Sequence, residues 1–440
     1  MLLLKNACVV QFGPPTVQEA TDIAIDGPEI VEVGKNIALG KRDGKAIDLE
    51  GAVVTPGLVC SHNHFYSALA RGITTSIPLS TDFVSILQNL WWRLDRAIDE
   101  DILLYSGLIG ALEAIGSGTT AVIDHHASPS FIKGSLSVLK ETFERVGLRG
   151  MLCYEVTDRN GKVGMQDGVE ENVAFARSID KEKKVNSHGL FEASIGAHAP
   201  FTLGEESLER LAEACRATRR GLHIHCAEDR YDTSYSHHRY QKDITERLEG
   251  YDLLGAKTIC VHGVHLTAAD IERLNEYDCF LVHNARSNMN NGVGYAEKLS
   301  EYKNVALGTD GIGSDMFEEF RFAFFKHRDA GGPYWPEDFL RFQHNGNVLL
   351  ERAFNAQFGR VEKGFAADLV IYDYPSPTPL VAENIAGHIA FGLSSRHVRT
   401  VIVNGAVCYE DGRFPFEIGP IYEKATKAAR RLWERMDSIQ

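Results

Sequence analysis

The pattern of apolar and polar residues changes twice along the chain. In the middle, short apolar runs alternate with stretches whose apolar residues recur at helical spacing. The runs are, in order, PGLVCSH, TTAVIDH, RGMLCYEV, FEASIGAH, GLHIHCAE, TICVHG, CFLVHN and VALGTD. Near-continuous apolar strands that alternate with helices are typical of an α/β protein with a parallel sheet covered on both faces. Eight strands predict closure into a TIM-like (β/α)8 barrel, although another doubly wound sheet also fits.

Both ends of the chain have a different pattern of residues from the middle. Residues 1–54 and 360–420 contain short β-like runs punctuated by glycine, without long helical patterns. Two half-sets of strands at opposite ends predict one small β-sandwich domain assembled from both termini. We therefore expect the barrel to span residues 55–359 and an amphipathic C-terminal helix to span residues 421–440.

Signals for single helices can be read between the strands. Thr267 with Asp270 three residues later forms a capping box at the start of one helix. The stretch EESLERLAEACRATRR predicts another helix, with four apolar residues on one face: Leu208, Leu211, Ala212 and Cys215. His237 and His238 in SYSHHRY are predicted to lie in a loop.

Composition narrows the range of partners. The formal net charge of −14 and the lack of a basic stripe over most of the chain argue against a nucleic-acid partner. No apolar run reaches the roughly 18 residues that a membrane span needs. The eight cysteines contain no C-x-x-C pair, which is typical of reduced thiols. We predict a cytoplasmic protein with a small-molecule substrate.

The ends of the predicted strands carry an unusual set of polar residues. Each strand is closed or followed by at least one histidine, glutamate or aspartate: His62, His64, His125, His126, Glu155, His198, His225, Glu228, His262, His283 and Asp310. In a (β/α)8 barrel the carboxyl ends of all strands share one rim, where catalytic groups gather. The set is therefore expected to form one cluster in space.

Two of these histidines stand two positions apart at the end of the first strand. Residues i and i+2 of a strand point to the same face, so His62 and His64 can reach one metal ion together. His225 and Asp310 are the natural candidates to complete a site that leaves a position open for water. His223 also alternates with His225, but we expect it one layer deeper in the barrel.

The motifs taken together resemble the amidohydrolase superfamily. They are PGLVxxHxH, HAP, HxxE, HGxxL, HNxxSN, GTDG, GxxxKGFAADLV and VNG, in this order over essentially the whole chain. The nearest branch is the cytosine deaminase, guanine deaminase and triazine chlorohydrolase group. Two stretches, YEVTDRNG and HNARSNMNNGVGYA, further resemble the SsnA-like aminohydrolases.

This resemblance implies a ligand set and roles. His62, His64, His225 and Asp310 would hold one divalent ion, since the strand-four stretch has no lysine that could bridge two metals. Zinc fits these ligands best, with iron and manganese as alternatives. Glu228 and His262 would act as the acid–base and polarising residues, and His198 would contact the substrate. The family also implies a homodimer.

A mechanism follows as an expectation. Asp310 would accept a proton from the attacking water, Glu228 would carry a proton to the leaving nitrogen, and His262 would stabilise the developing oxygen. The reaction would release ammonia from a cyclic amidine or aminoazine of the purine, pterin or triazine type. Alternatives are hydrolysis of an amide, lactam or C–Cl bond at the same site, and a catalytically inactive barrel that serves as an interaction protein.

Substrate contacts are harder to derive. His125 and Glu155 are candidates because they lie at the ends of strands two and three. Trp92 either covers the substrate as part of a lid or packs the first helix against the barrel. Arg286 either faces the pocket or is a loop cation. It stands where the family often has a proline, so substrate recognition is the part of the family pattern from which this chain departs.

Overall fold

The computed structural model describes residues 1–39 and 43–439. Residues 40–42 and 440, which belong to the predicted sandwich and the C-terminal helix, lie outside this part of the chain. The strands are β1 (Leu2–Phe12), β2 (Pro15–Asp26), β3 (Glu29–Gly34), β4 (Lys45–Asp48), β5 (Val53–Pro56), β6 (Leu58–Asn63), β7 (Thr119–His126), β8 (Arg149–Tyr154), β9 (Phe191–Ala193), β10 (Ile195–Ala197), β11 (Leu222–Cys226), β12 (Ile259–His262), β13 (Phe280–His283), β14 (Val305–Leu307), β15 (Leu369–Tyr372), β16 (Val398–Val403) and β17 (Ala406–Glu410). The α-helices are α1 (Phe83–Ile86), α2 (Trp92–Ala97), α3 (Glu100–Gly116), α4 (Ser135–Val146), α5 (Gly161–Lys183), α6 (Glu205–Thr218), α7 (Arg230–Tyr240), α8 (Ile244–Glu249), α9 (Ala268–Glu276), α10 (Ala285–Asn290), α11 (Met316–Asp329), α12 (Pro336–Phe354), α13 (Ile385–Phe391) and α14 (Gly419–Ser438).

The central strands form two parallel sheets. One has the order β6-β7-β8-β9 and the other β10-β11-β12-β13-β14, and every residue in these strands is buried. Isolated parallel bridges, Val156 with Ala197 and Asn63 with Asp310, join the two sheets. The predicted α/β architecture with parallel strands is confirmed. Within the described residues no continuous ladder closes all strands into one ring.

The ends of the chain meet in a third, mixed sheet. Its order is β17-β16-β15-β5-β1-β2-β3, with β4 paired to β1. Its strand β5 runs directly into β6 of the parallel sheet through Gly57, where a Cβ would lie 1.9 Å from the Thr120 hydroxyl oxygen. This joint sets the direction in which β6 enters the central sheets, and hence where its last residues lie.

A buried ion pair ties the mixed sheet to the central strands. Arg149 of β8 donates from Nε and Nη2 to the two carboxylate oxygens of Asp368, at 2.6 and 3.0 Å. Its guanidinium also packs over the ring of Phe358, 4.8 Å from the centroid. Both charged groups are almost fully buried, so each depends on the other for compensation.

The helix signals have mixed outcomes. The capping box is confirmed, since the Thr267 hydroxyl accepts from the backbone N–H of Asp270, and all four predicted apolar residues of α6 are buried. The loop prediction for His237 and His238 is wrong, because both lie in α7. Asp229 caps this helix by accepting from the N–H of Tyr231, and no glycine or proline follows to end it. None of the helices in the described residues is long and apolar enough to cross a membrane.

Candidate metal centre

The ends of β6 and β11 and the turn after β14 bring three imidazoles and a carboxylate together. His64 Nε2 lies 3.0 Å from Asp310 Oδ1, and His62 Nε2 lies 3.8 Å from the same oxygen. The Nε2 atoms of His62 and His225 are 3.3 Å apart. All four side chains are buried. The four residues predicted from the sequence to share a metal ion are therefore close neighbours.

The second nitrogen of each imidazole determines which nitrogen can bind a cation. His225 Nδ1 donates to the carbonyl oxygen of His198 at 2.8 Å, and His64 Nδ1 donates to the carbonyl oxygen of His125. A carbonyl only accepts, so Nδ1 carries a proton in both rings and Nε2 is the nitrogen that faces the centre. His62 Nδ1 is hydrogen-bonded to Nε2 of His223 at 2.9 Å, which leaves its Nε2 on the same centre.

The electrostatics of the cluster favour a cation. Burial holds the pKa of His62 and of His225 well below the usual value, so both rings are neutral, as metal ligands must be. Burial opposes a charge on His64 too, yet the adjacent Asp310 carboxylate raises the pKa of His64 to about 9. Burial raises the pKa of Asp310, but the hydrogen bond and charge from His64 outweigh it and lower that pKa. The carboxylate thus attracts positive charge, and this donor set suits a divalent ion such as zinc.

Glu228 and His262 lie beside this centre. His262 Nδ1 donates to the Asn288 side-chain oxygen at 2.8 Å, and its Nε2 has no hydrogen-bond partner in the described residues. That atom lies 3.5 Å from Glu228 Oε2 and 3.8 Å from Asp310 Oδ2. Asn291 donates to the other Glu228 oxygen at 3.0 Å. Burial raises the pKa of Glu228, so its carboxyl group can retain a proton at a higher pH than usual.

The backbone turns sharply at two of these positions. His262 has φ of 72° and Asp310 has φ of 54°, in the left-handed region that residues other than glycine seldom adopt. The Ser287 hydroxyl and the Gly311 N–H donate to the two oxygens of Asp310. Such conformations are maintained only where the surroundings over-determine them, which is a common feature of functional sites.

A cavity opens next to the cluster. Three of the predicted substrate contacts, Glu155, His198 and Trp92, are among its lining residues. His125 lies behind the wall, with its Nδ1 3.4 Å from Glu155 Oε2. Arg286 is not among the lining residues, and its guanidinium is paired with Glu318 and Glu319 of α11. Arg286 lies in α10 rather than in a loop, and its hydrogen-bonding capacity is directed at α11.

The segment after β6 supplies much of the apolar wall. The lining residues Phe83, Leu87, Trp91 and Trp92 come from α1, the π-helix Leu87–Trp91 and the start of α2. The ring of Trp92 lies 6.2 Å from that of His198, while the Arg159 guanidinium packs 4.6 Å from Trp92 on the loop after β8. Trp92 therefore packs against the rim and also faces the cavity.

Sequence reasoning missed several lining residues. Asp95 of α2, Tyr66 after β6, Phe201 after β10 and Asn291 after α10 all line the cavity. Tyr66 stands two positions after His64, but it lies in the 3-10 helix Phe65–Ala70, where the alternation of a strand no longer applies. The other three lie in helices, turns and loops, whose direction the apolar pattern does not define.

Comparison with known proteins identifies the family of this chain. The sequence profile of the amidohydrolase family matches residues 53–408. The chain is 29% identical over 417 residues to a 5-methylthioadenosine/S-adenosylhomocysteine deaminase of Thermococcus sibiricus, covering 92% of this chain and 93% of that protein. It is 28% identical over 449 residues to a 5′-deoxyadenosine deaminase of Methanosarcina mazei, covering 99% of each.

Solved structures share the fold over nearly the full length. An adenosine deaminase from Xanthomonas campestris, solved with bound zinc, superimposes with a TM-score of 0.84 at 22% identity and covers 98% of each chain. An atrazine chlorohydrolase variant from Arthrobacter aurescens, solved with zinc and atraton, superimposes with a TM-score of 0.83 at 23% identity. The match covers 98% of this chain and 100% of that chain. From the family profile, which spans most of the sequence, we conclude that this chain is a hydrolase that belongs to the amidohydrolase family.

Proposed function

We propose that the protein is a metal-dependent aminohydrolase that releases ammonia from a purine-like heterocycle. The observation that carries the proposal is the convergence of His62, His64, His225 and Asp310 beside Glu228, at the floor of a cavity with aromatic walls. The similar proteins named above as deaminases of methylthioadenosine and deoxyadenosine support a purine-like substrate. Pterins and aminotriazines stay in the candidate set.

Each side chain has a role that its surroundings support. His62, His64, His225 and Asp310 would hold one divalent ion, zinc by preference, which when bound lowers the pKa of water and polarises a carbon–nitrogen bond. Asp310 Oδ2 can take a proton, and His262 Nε2 can donate a hydrogen bond to a developing oxygen when it is protonated. Glu228 lies between the centre and the cavity, where it can pass a proton to the leaving nitrogen.

The same residues would serve a chlorohydrolase or an amidase, because water activation is common to all three reactions. The experiment is therefore a product assay on zinc-loaded protein with purine nucleosides, aminopterins, aminotriazines, chlorotriazines and cyclic amides. Ammonia release from an amino-heterocycle is the expected result. Chloride release or amide hydrolysis alone would favour the alternatives. Protein that binds zinc but gives no product with any compound would point to the inactive barrel.

Several finer assignments are proposed with it. We infer that the two central sheets make one (β/α)8 barrel spanning residues 55–359, which the two inter-sheet bridges support. Residues 1–54 and 360–420 would form a separate sandwich domain, followed by the terminal helix α14 (Gly419–Ser438), which begins two residues before the predicted position 421. A homodimer, a cytoplasmic location and membership of the SsnA-like branch stay predictions made from the sequence.

A further inference from the structure

The charges that line the cavity are strongly one-sided. Its wall contains six carboxylates and, among the described residues, neither lysine nor arginine: Asp95, Glu155, Glu228, Asp229, Asp232 and Asp310. Apolar area comes mainly from aromatic rings, which are neutral. Any substrate in this cavity therefore meets acidic groups on several sides.

The six carboxylates are not equivalent. Asp310 and Glu228 belong to the proposed chemistry. The two oxygens of Asp232 accept from the backbone N–H groups of Phe201 and Ala227, so this side chain holds the wall together. Glu155 is shared by His125, His198 and Arg159. Asp95 and Asp229 remain as charges that the proposed reaction does not use.

Asp95 has an unfilled hydrogen-bonding position. It is only 2% exposed, and its Oδ2 receives a hydrogen bond from Arg159 Nη2 at 2.9 Å. Its Oδ1 is buried and has no hydrogen-bond partner within the described part of the chain, and the same holds for Nε1 of the neighbouring Trp92. Buried polar atoms are almost always paired, so an open acceptor on a cavity wall points to a ligand that donates there.

Arg159 does not offset these charges toward the cavity. Its guanidinium is packed against the ring of Trp92 and is paired with both Asp95 and Glu155, at 2.9 and 3.5 Å. One cation thus faces two carboxylates. At the other end, Asp310 would partly offset the charge of a divalent ion. Burial raises the pKa of Asp95 to about 6 and that of Asp232 to about 7, so Asp95 is mostly ionised at neutral pH whereas Asp232 is only partly ionised.

We propose that this protein selects its heterocyclic substrate by charge, accepting neutral or cationic substituents that donate hydrogen bonds and rejecting phosphate or carboxylate. The proposal rests on the proposed function for the reaction but concerns a separate property of the cavity. A narrow cavity lined by one sign of charge concentrates the electric field, so that an anionic group is repelled while a cationic or hydroxyl group finds acceptors.

The test uses three heterocycles in matched forms. An adenine nucleoside, a pterin and an aminotriazine are each made with an aminoalkyl, a hydroxyalkyl and a carboxyalkyl substituent. Ammonia release gives kcat/KM, and the shift in melting temperature of the zinc-loaded protein gives binding independently of turnover. We expect the carboxyalkyl form to be at least about tenfold poorer than the aminoalkyl form, the scale of one charge–charge interaction near a protein surface.

Variants that each remove one negative charge show which carboxylate causes the preference for the aminoalkyl form. Asp95→Asn and Asp229→Asn each remove one negative charge, and asparagine still caps α7 at position 229. Each should narrow the ratio between aminoalkyl and carboxyalkyl forms by about three- to tenfold. Asp101→Asn, in an exposed ion pair with Arg431, is the matched control and should leave the ratio unchanged.

The outcomes separate the two proposals. Equal or better binding of the carboxyalkyl form, or an unchanged ratio in both cavity variants, overturns the charge selection. Binding in the expected order without ammonia from any compound supports charge selection and refutes the deaminase function. Failure of all nine compounds to bind overturns both.

Discussion

Replacing Glu228 by glutamine changes proton transfer at the site with little change in shape. The amide oxygen of Gln can still accept from Asn291 Nδ2, which donates to the carboxylate at 3.0 Å in the parent protein. The amide nitrogen would take the place of Oε2, 3.5 Å from His262 Nε2. No predicted metal ligand is altered. The fold and the metal content should therefore be retained.

The expected loss follows from the role of the carboxyl group. General acid–base catalysis contributes about 100- to 10,000-fold to rate. At about 1.36 kcal/mol per tenfold, this is roughly 3–5 kcal/mol of activation free energy. We expect kcat for ammonia release to decrease by a factor of about 100 to 10,000, because an amide cannot deliver a proton to the leaving nitrogen.

The assay measures kcat, zinc per chain and melting temperature on the same preparation. Glu213→Gln, in the exposed ion pair with Arg210 on α6, serves as the matched control and should behave as the parent. Activity of Glu228→Gln within about threefold of the parent, with zinc retained, would remove Glu228 from proton transfer. Loss of zinc in this variant would mean that Glu228 helps to hold the metal.

Three further predictions concern the metal and the fold. His62→Ala should reduce zinc, measured by atomic emission after dialysis, from about one per chain toward none, whereas exposed His237→Ala should not. Arg149→Ala leaves Asp368 buried without a partner and should lower the free energy of unfolding in urea by about 3–5 kcal/mol; a change below about 1 kcal/mol would contradict the buried pair. Burial raises the pKa of Asp124 from 3.8 to about 7. The folded state therefore retains a proton that the unfolded chain releases, so this contribution to stability is present below about pH 4 and lost as pH rises through 7. In Asp124→Asn the amide oxygen can still accept from the N–H of Phe65. The melting temperature of this variant minus that of the parent should increase from about pH 5 to about pH 8. A difference that does not change with pH would refute this prediction.

The parts of the site that sequence could predict all depend on strands. Alternation along β6 gives His62 and His64 the same direction, and parallel strands end at one edge, so His225 and Asp310 follow from counting strands. These rules need only the local period and the order of elements. The sequence pattern is not decisive for His237 and His238, because a polar stretch without glycine or proline fits a helix as well as a loop.

The wall of the cavity depends on geometry that the sequence pattern does not encode. Asp95 lies on a helix reached through an irregular segment, and its position depends on how that segment crosses the rim. For Arg286 the sequence could not decide between a pocket residue and a loop cation, because the partners of its guanidinium are distant along the chain. Glu318 and Glu319 stand more than 30 positions away, and only the packing of α10 against α11 brings them to it.

The proposed ligands at the strand ends are buried and held by second hydrogen bonds, so we expect a changed ligand to lose the metal and the reaction with it. Asp95 and Arg159 come from separate loop-linked segments and can change without touching a ligand. Variation in substrate should therefore concentrate on the wall while the centre stays constant, as expected where function lives in sites carried by a shared fold. The substrate of this chain is best sought by varying charge around Asp95 rather than by altering the metal.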